Sequence, residues 1–121
     1  MTVDTARQAA ELLAPHLLAR AGGAVAVLHV DSERRLIDVA VFDPDAARLP
    51  VRDILARALR AGADSVIVAI GRPPGDSLPT EEETAAARRL AEAAASLDLR
   101  LTDFFIFAGA DCRSFRELGL L

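Results

Sequence analysis

The chain reads as an α/β domain, a mixed sheet flanked by helices, and three observations predict this. Segments with helical spacing of apolar residues alternate with strand-like runs, in the order helix, hairpin, helix, strand, helix, strands. Two apolar runs, Ala24–Asp31 and Leu36–Phe42, are joined by the polar turn Ser32-Glu33-Arg34-Arg35, which gives a hairpin. The continuous apolar run Ser65–Ile70 suits a strand buried on both faces.

The elements follow in order. Residues 4–20 form an amphipathic helix, with Ala6, Ala9, Leu13 and Leu17 recurring at helical spacing. Ala21-Gly22-Gly23 ends it, since glycine tolerates the positive φ of a helix stop. After the hairpin, Asp43-Pro44-Asp45 closes the second strand, and Val51–Ala61 is a second helix. Gly71–Pro79 is a loop punctuated by proline and glycine. Thr80-Glu81-Glu82-Glu83 opens a third helix that runs to about Leu97. Leu99–Ala108 is a strand, Gly109–Ala110 a turn, Asp111–Phe115 a short last strand, and Arg116–Leu121 a tail of about one helical turn.

A chain of 121 residues that is 52% hydrophobic is expected to be one domain with one core, built from aliphatics and five phenylalanines without Trp or Tyr. No apolar run approaches the ~20 residues that span a bilayer, and no basic region precedes an apolar stretch at the start. One cysteine, Cys112, excludes an intramolecular disulfide and a Cys-based zinc cluster. We expect a cytoplasmic protein. All 14 basic residues are arginine, scattered along a chain of net charge −4. Phosphate binding calls for a concentrated basic patch, so the charge gives no signal for nucleic acid.

The segment Val66-Ile67-Val68-Ala69-Ile70-Gly71-Arg72-Pro73-Pro74-Gly75-Asp76-Ser77-Leu78-Pro79-Thr80-Glu81-Glu82-Glu83 carries the most information. An apolar strand enters a Pro/Gly loop that leads to a helix start. This layout resembles the RadC family, bacterial members of the JAMM (JAB/MPN) metalloprotease-like fold, whose motif is His-x-His-Pro, a spacer, then Ser-x-x-Asp. The chain keeps Pro73, Gly75-Asp76, Pro79 and the spacing. It has Ile70 and Arg72 in the histidine positions, and Thr80 and Glu83 in those of the serine and aspartate. The resemblance extends to Leu28–Ile37, to Arg52–Ala63, to Leu101-Thr102-Asp103-Phe104 (where the family reads Asp-His) and to the ending Ser114–Leu121. It implies the JAB/MPN fold, a three-layer architecture like that of cytidine deaminase, and a domain without the helix-hairpin-helix region that usually precedes it.

The same resemblance implies zinc, held by two imidazoles and a carboxylate, and a glutamate as general base. The base position falls at Gly23, which has no side chain. Arg72 offers only donors and stays protonated, and Ile70 offers nothing. A lone carboxylate, Glu83, does not hold zinc. The residues themselves read Thr80-x-x-Glu83 as a capping box. His29 shares a strand face with Gly23 but stands roughly 20 Å along it, at an expected part-exposed strand end. His16 reads as a border residue of the first helix, and Cys112 has no base or helix N-terminus to activate it. Ser77 and Ser114 lack a triad context, and the prolines of Gly71–Gly75 remove the N–H donors of a phosphate cradle.

Two classes of function stay open. One is a RadC-like domain that has lost metal and catalysis and serves as a binding or assembly module, with no cofactor and a protein partner or a second copy bound. The other is a metal-dependent hydrolase with substitute ligands, linked to DNA repair only through the family's traditional description. For the first, we expect Arg72 to pair with Glu83 or Asp76, and Leu36–Phe42 with Leu118–Leu121 to offer apolar surface for a homodimer.

Overall fold

The computed structural model describes residues 1–20, 23–43 and 49–121. Its five strands form a single mixed sheet of order β2-β1-β3-β4-β5, with β1 Ala24–Val30, β2 Leu36–Phe42, β3 Ser65–Arg72, β4 Arg100–Ala108 and β5 Asp111–Ser114. Helix α1 (Ala6–Leu18) covers one face; α2 (Val51–Ala61) and α3 (Glu81–Ala95) cover the other. The three layers agree with the predicted class.

Period-two alternation splits β1 between two cores. Ala24, Ala26, Leu28 and Val30 pack beneath α1 with Ile67, Ala69, Phe105 and Phe107. Val25 and Val27 pack beneath the other two helices with Val66, Val68, Phe104 and Ile106. Helix α1 contributes Ala9, Leu13 and Leu17, spaced by one turn, after a capping box between Thr5 and Gln8. Helix α2 buries Ile54, Leu55 and Ala58 and stops at Gly62, whose left-handed φ of 70° suits a residue without Cβ. Helix α3 buries Ala86, Ala87, Leu90 and Ala94.

The β1–β2 and β4–β5 connections are antiparallel hairpins, β1 runs antiparallel to β3, and β3 runs parallel to β4. The parallel pair needs a crossover, which α3 supplies. The loop from β3 to α3 therefore lies at the carboxyl ends of the two parallel strands, where open α/β sheets place their binding sites.

Some boundaries shift, each for a physical reason. The first helix begins at Ala6, because Thr5 caps it and Thr2 bridges to Arg35 at the rim of the hairpin. It ends at Leu18 rather than residue 20. Strand β3 continues past Ile70, since Gly71 pairs with Ala24 and Arg72 with Ala108; Pro73, lacking an N–H, stops it. The expected stop at Ala21-Gly22 and the closing turn at Pro44-Asp45 lie outside the described residues.

Candidate functional site

Strand alternation sends Gly71 towards α1, where a Cβ would stand 3.1 Å from Leu17, and sends Ile70 and Arg72 to the α2/α3 face. Ile70 packs against the core of that face. Arg72 lies at the mouth of the β3–α3 loop. Its Nη2 donates to the Leu78 carbonyl at 2.7 Å, and its Nε stands 3.4 Å from Glu83 Oε2. That second contact is an ion pair without hydrogen-bond alignment. The side chains are 28% and 14% exposed, so the pair is partly shielded from water.

Glu83 serves two partners. Its Oε1 accepts the Thr80 N–H at 2.9 Å while Thr80 Oγ1 accepts the Glu83 N–H at 3.1 Å, a reciprocal capping box at the start of α3. The other oxygen faces Arg72. A carboxylate in the first turn also suits the positive end of the helix dipole. The alternative partner named from the sequence, Asp76, goes elsewhere: its Oδ1 accepts the Leu78 N–H at 2.9 Å and shapes the loop.

The loop is fastened to β5 by residues whose part the sequence did not indicate. Ser77, fully buried, donates from Oγ to Asp111 Oδ2 at 2.5 Å and accepts from Arg113 Nε at 3.1 Å. Gly109, at φ 63°, turns the β4–β5 hairpin beneath Pro74, and its N–H donates to the Arg72 carbonyl at 3.2 Å. Only the fold brings residue 77 to residues 111 and 113; no local spacing marks it.

The other singled-out residues are spread across the molecule. Gly23 has a φ of 95°, a region that side-chain-bearing residues rarely adopt, so a glutamate there would be strained. His29 corrects an expectation: it lies one residue from the end of β1, but it is fully buried rather than part-exposed. Its partner on β3 is Val66, whereas Ile70 pairs with Val25, so it stands ~13 Å along the strand from Ile70 and further still from the loop. His16 is half-buried in the last turn of α1, across the sheet. Asp103 is buried and accepts from the Phe104 N–H (2.7 Å), Ser114 Oγ (2.6 Å) and the Arg116 N–H (3.1 Å), which ties β4 to the final turn. Phe104 is fully buried against Phe115, with ring centroids 4.9 Å apart. The Cys112 thiol is pushed up to about 11 by burial and by the carboxylates of Asp103, Asp111 and Glu117, which suppresses the thiolate.

These residues do not fit a catalytic zinc. Of the implied donor set only the Glu83 carboxylate remains, and both its oxygens are engaged by Thr80 and Arg72. Among the described residues, no group of three or more His, Cys, Asp or Glu side chains could hold a metal ion. The arrangement supplies a fixed cation against a carboxylate and a loop stitched down at both ends.

The chain is 32% identical over 120 residues to a UPF0758 protein of Acidithiobacillus ferrooxidans, which covers 97% of this chain and 54% of that one. It is 44% identical over 70 residues to a UPF0758 protein of Thiobacillus denitrificans (58% of this chain, 31% of that one). To one from Neisseria gonorrhoeae it is 42% identical over 71 residues, 59% and 32% of the respective chains. The chain thus spans about a third to a half of the length of the curated relatives it matches. The description of the RadC-like JAB domain matches residues 3–120. With the sheet order, the loop at the carboxyl ends of β3 and β4 and this near-complete match together, the chain belongs to the RadC-like JAB domain family.

Proposed function

We propose that this chain is a RadC-like JAB domain without metal or hydrolytic activity, and that it works as a binding or assembly module. One observation carries the proposal: the Arg72 guanidinium lies against Glu83, the one oxygen donor left from the implied ligand set. A permanent cation there supplies the charge that a metal would have brought, and it repels a divalent ion. Ile70, packed against the core, and Gly23, at positive φ, support the same reading at the first histidine and base positions.

Assembly needs a surface, and edge strand β2 supports that part of the proposal. Ile37 and Val41 are 40% and 37% exposed on a strand whose outer edge, among the described residues, pairs with another segment only at its start, through Met1 and Thr2. Leu118, Leu120 and Leu121 are exposed at the tail. No helix among the described residues is long and apolar enough to cross a membrane.

Elemental analysis after purification without chelators tests the metal half. We expect zinc far below one atom per chain. About one zinc per chain, lost in a Glu83→Ala variant, would overturn the proposal and favour a hydrolase with substitute ligands.

A further inference from the structure

We propose that His29, Asp38 and Arg57 form an acid-released latch that fastens edge strand β2 and helix α2 to β1. The three residues come from three elements and run from the interior to the surface. The His29 ring, 0% exposed, places Nδ1 2.6 Å from Asp38 Oδ1 on β2; Asp38 Oδ2 accepts from Arg57 Nη2 on α2 at 3.2 Å. Asp38 and Arg57 are 36% and 44% exposed, so water reaches the outer half of the chain of contacts but not the imidazole.

The ring is poorly provided for as a cation. The contact to Asp38 is close but not aligned as a hydrogen bond, and Nε2 has no partner at all among the described residues. A doubly protonated ring would bury an N–H without an acceptor, which is costly. Among the described residues, Asp38 and Arg57 are the charges that act on it. On β3 its neighbour is Val66; just past the end of β1, two residues on, Asp31 turns its carboxylate to the Glu33 and Arg35 N–H groups. On α2, Arg52, Asp53 and Arg60 are exposed, as is Asp64 ahead of β3. Burial opposes protonation most strongly, Asp38 favours it and Arg57 opposes it, so the His29 pKa lies below its ordinary 6.5.

The consequence has a definite sign. In an opened state the ring takes up a proton near pH 6.5; in the closed state it does so only at lower pH. Closure is therefore fully favoured above about pH 6.5 and weakens as pH falls below it. The opening of least extent exposes Nε2 by moving β2 and α2, since β1 is locked on its other side by β3 along its whole length.

Amide hydrogen exchange read by mass spectrometry between pH 7.5 and 5, corrected for intrinsic rates, tests this on the full chain. In the wild type we expect protection in β2 and α2 to fall by up to about tenfold per pH unit below 6.5, the effect of one proton, while β3 and β4 hold theirs. His29→Leu should flatten that fall. A uniform loss across the sheet, no loss, or an unchanged loss in His29→Leu would overturn the latch. Should that variant not fold, NMR titration of the ring C–H signals decides. A wild-type His29 pKa below 6.5, lowered further in Asp38→Asn, supports the latch; a value at or above 6.5 refutes it.

Discussion

Arg72 is where chain chemistry departs most from what the family resemblance implies. A guanidinium cannot donate a lone pair, but it can satisfy the carboxylate beside it, and Glu83 is shielded enough to need that. The partners sit between the exposed limit, where a pair contributes ~0–1 kcal/mol, and the buried one, where removing a partner costs ~3–5 kcal/mol. Arg72→Ala is thus expected to destabilise by about 1–3 kcal/mol. In urea denaturation, the Arg72→Ala/Glu83→Ala double variant should lose less than the two single losses added, because each single change leaves one charge unpaired. Strict additivity would show that the two residues do not interact. Much of this site was legible. The motif spacing put Arg72 near Glu83, and Thr80-x-x-Glu83 announced its cap. His29 was not legible: a histidine inside an apolar strand reads as a strand end, because its polar partners, at positions 38 and 57, are distant in the chain. The Ser77–Asp111–Arg113 stitch was hidden for the same reason.

At the scale of elements, local signals sufficed wherever the physics is local. Apolar spacing located all three helices, and the cap at Thr80 fixed where α3 begins. Strand β3 outran its prediction because strand length is set by partners on both sides, β1 and β4, not by its own hydropathy. Helix α3 gives the next prediction. It has three glutamates in its first turn and no basic residue in its last, so its stability leans on its N-terminus. Thr80→Ala removes the acceptor for the Glu83 N–H and leaves in place the residue-80 backbone N–H that Glu83 Oε1 accepts. The expected loss is ~1 kcal/mol by denaturant titration, with Thr80→Ser close to wild type. A loss no larger than that of an exposed mid-helix substitution would mean that the Thr80 hydroxyl adds nothing to the start of α3.

For the whole molecule, the question is what a sheet with two edges does with them. Edge β5 is short, carries Asp111 and Arg113, and is stitched to the β3–α3 loop, all of which discourage pairing with another chain. Edge β2 has fewer such defences. Its one charged residue, Asp38, is turned inward to His29 and Arg57, and Ile37, Val39 and Val41 share the opposite face. Among the described residues, the outer edge is met by Met1 and Thr2 only at Arg35 and Leu36. Two copies related by a twofold axis near Val39 would pair antiparallel, setting Ile37 of each opposite Val41 of the other and avoiding an Asp38–Asp38 clash. Strand pairing alone buries less than the ~1,200 Å² of a stable interface, so the exchange is expected to be reversible. Sedimentation velocity at high micromolar concentration should then show a monomer–dimer equilibrium. Val41→Arg, which places like charges on the shared face without touching the core, should shift it at least tenfold towards monomer, a loss of ~1.4 kcal/mol. A wild-type chain that stays strictly monomeric, or a Val41→Arg variant that dimerises as before, would remove β2 as the assembly surface.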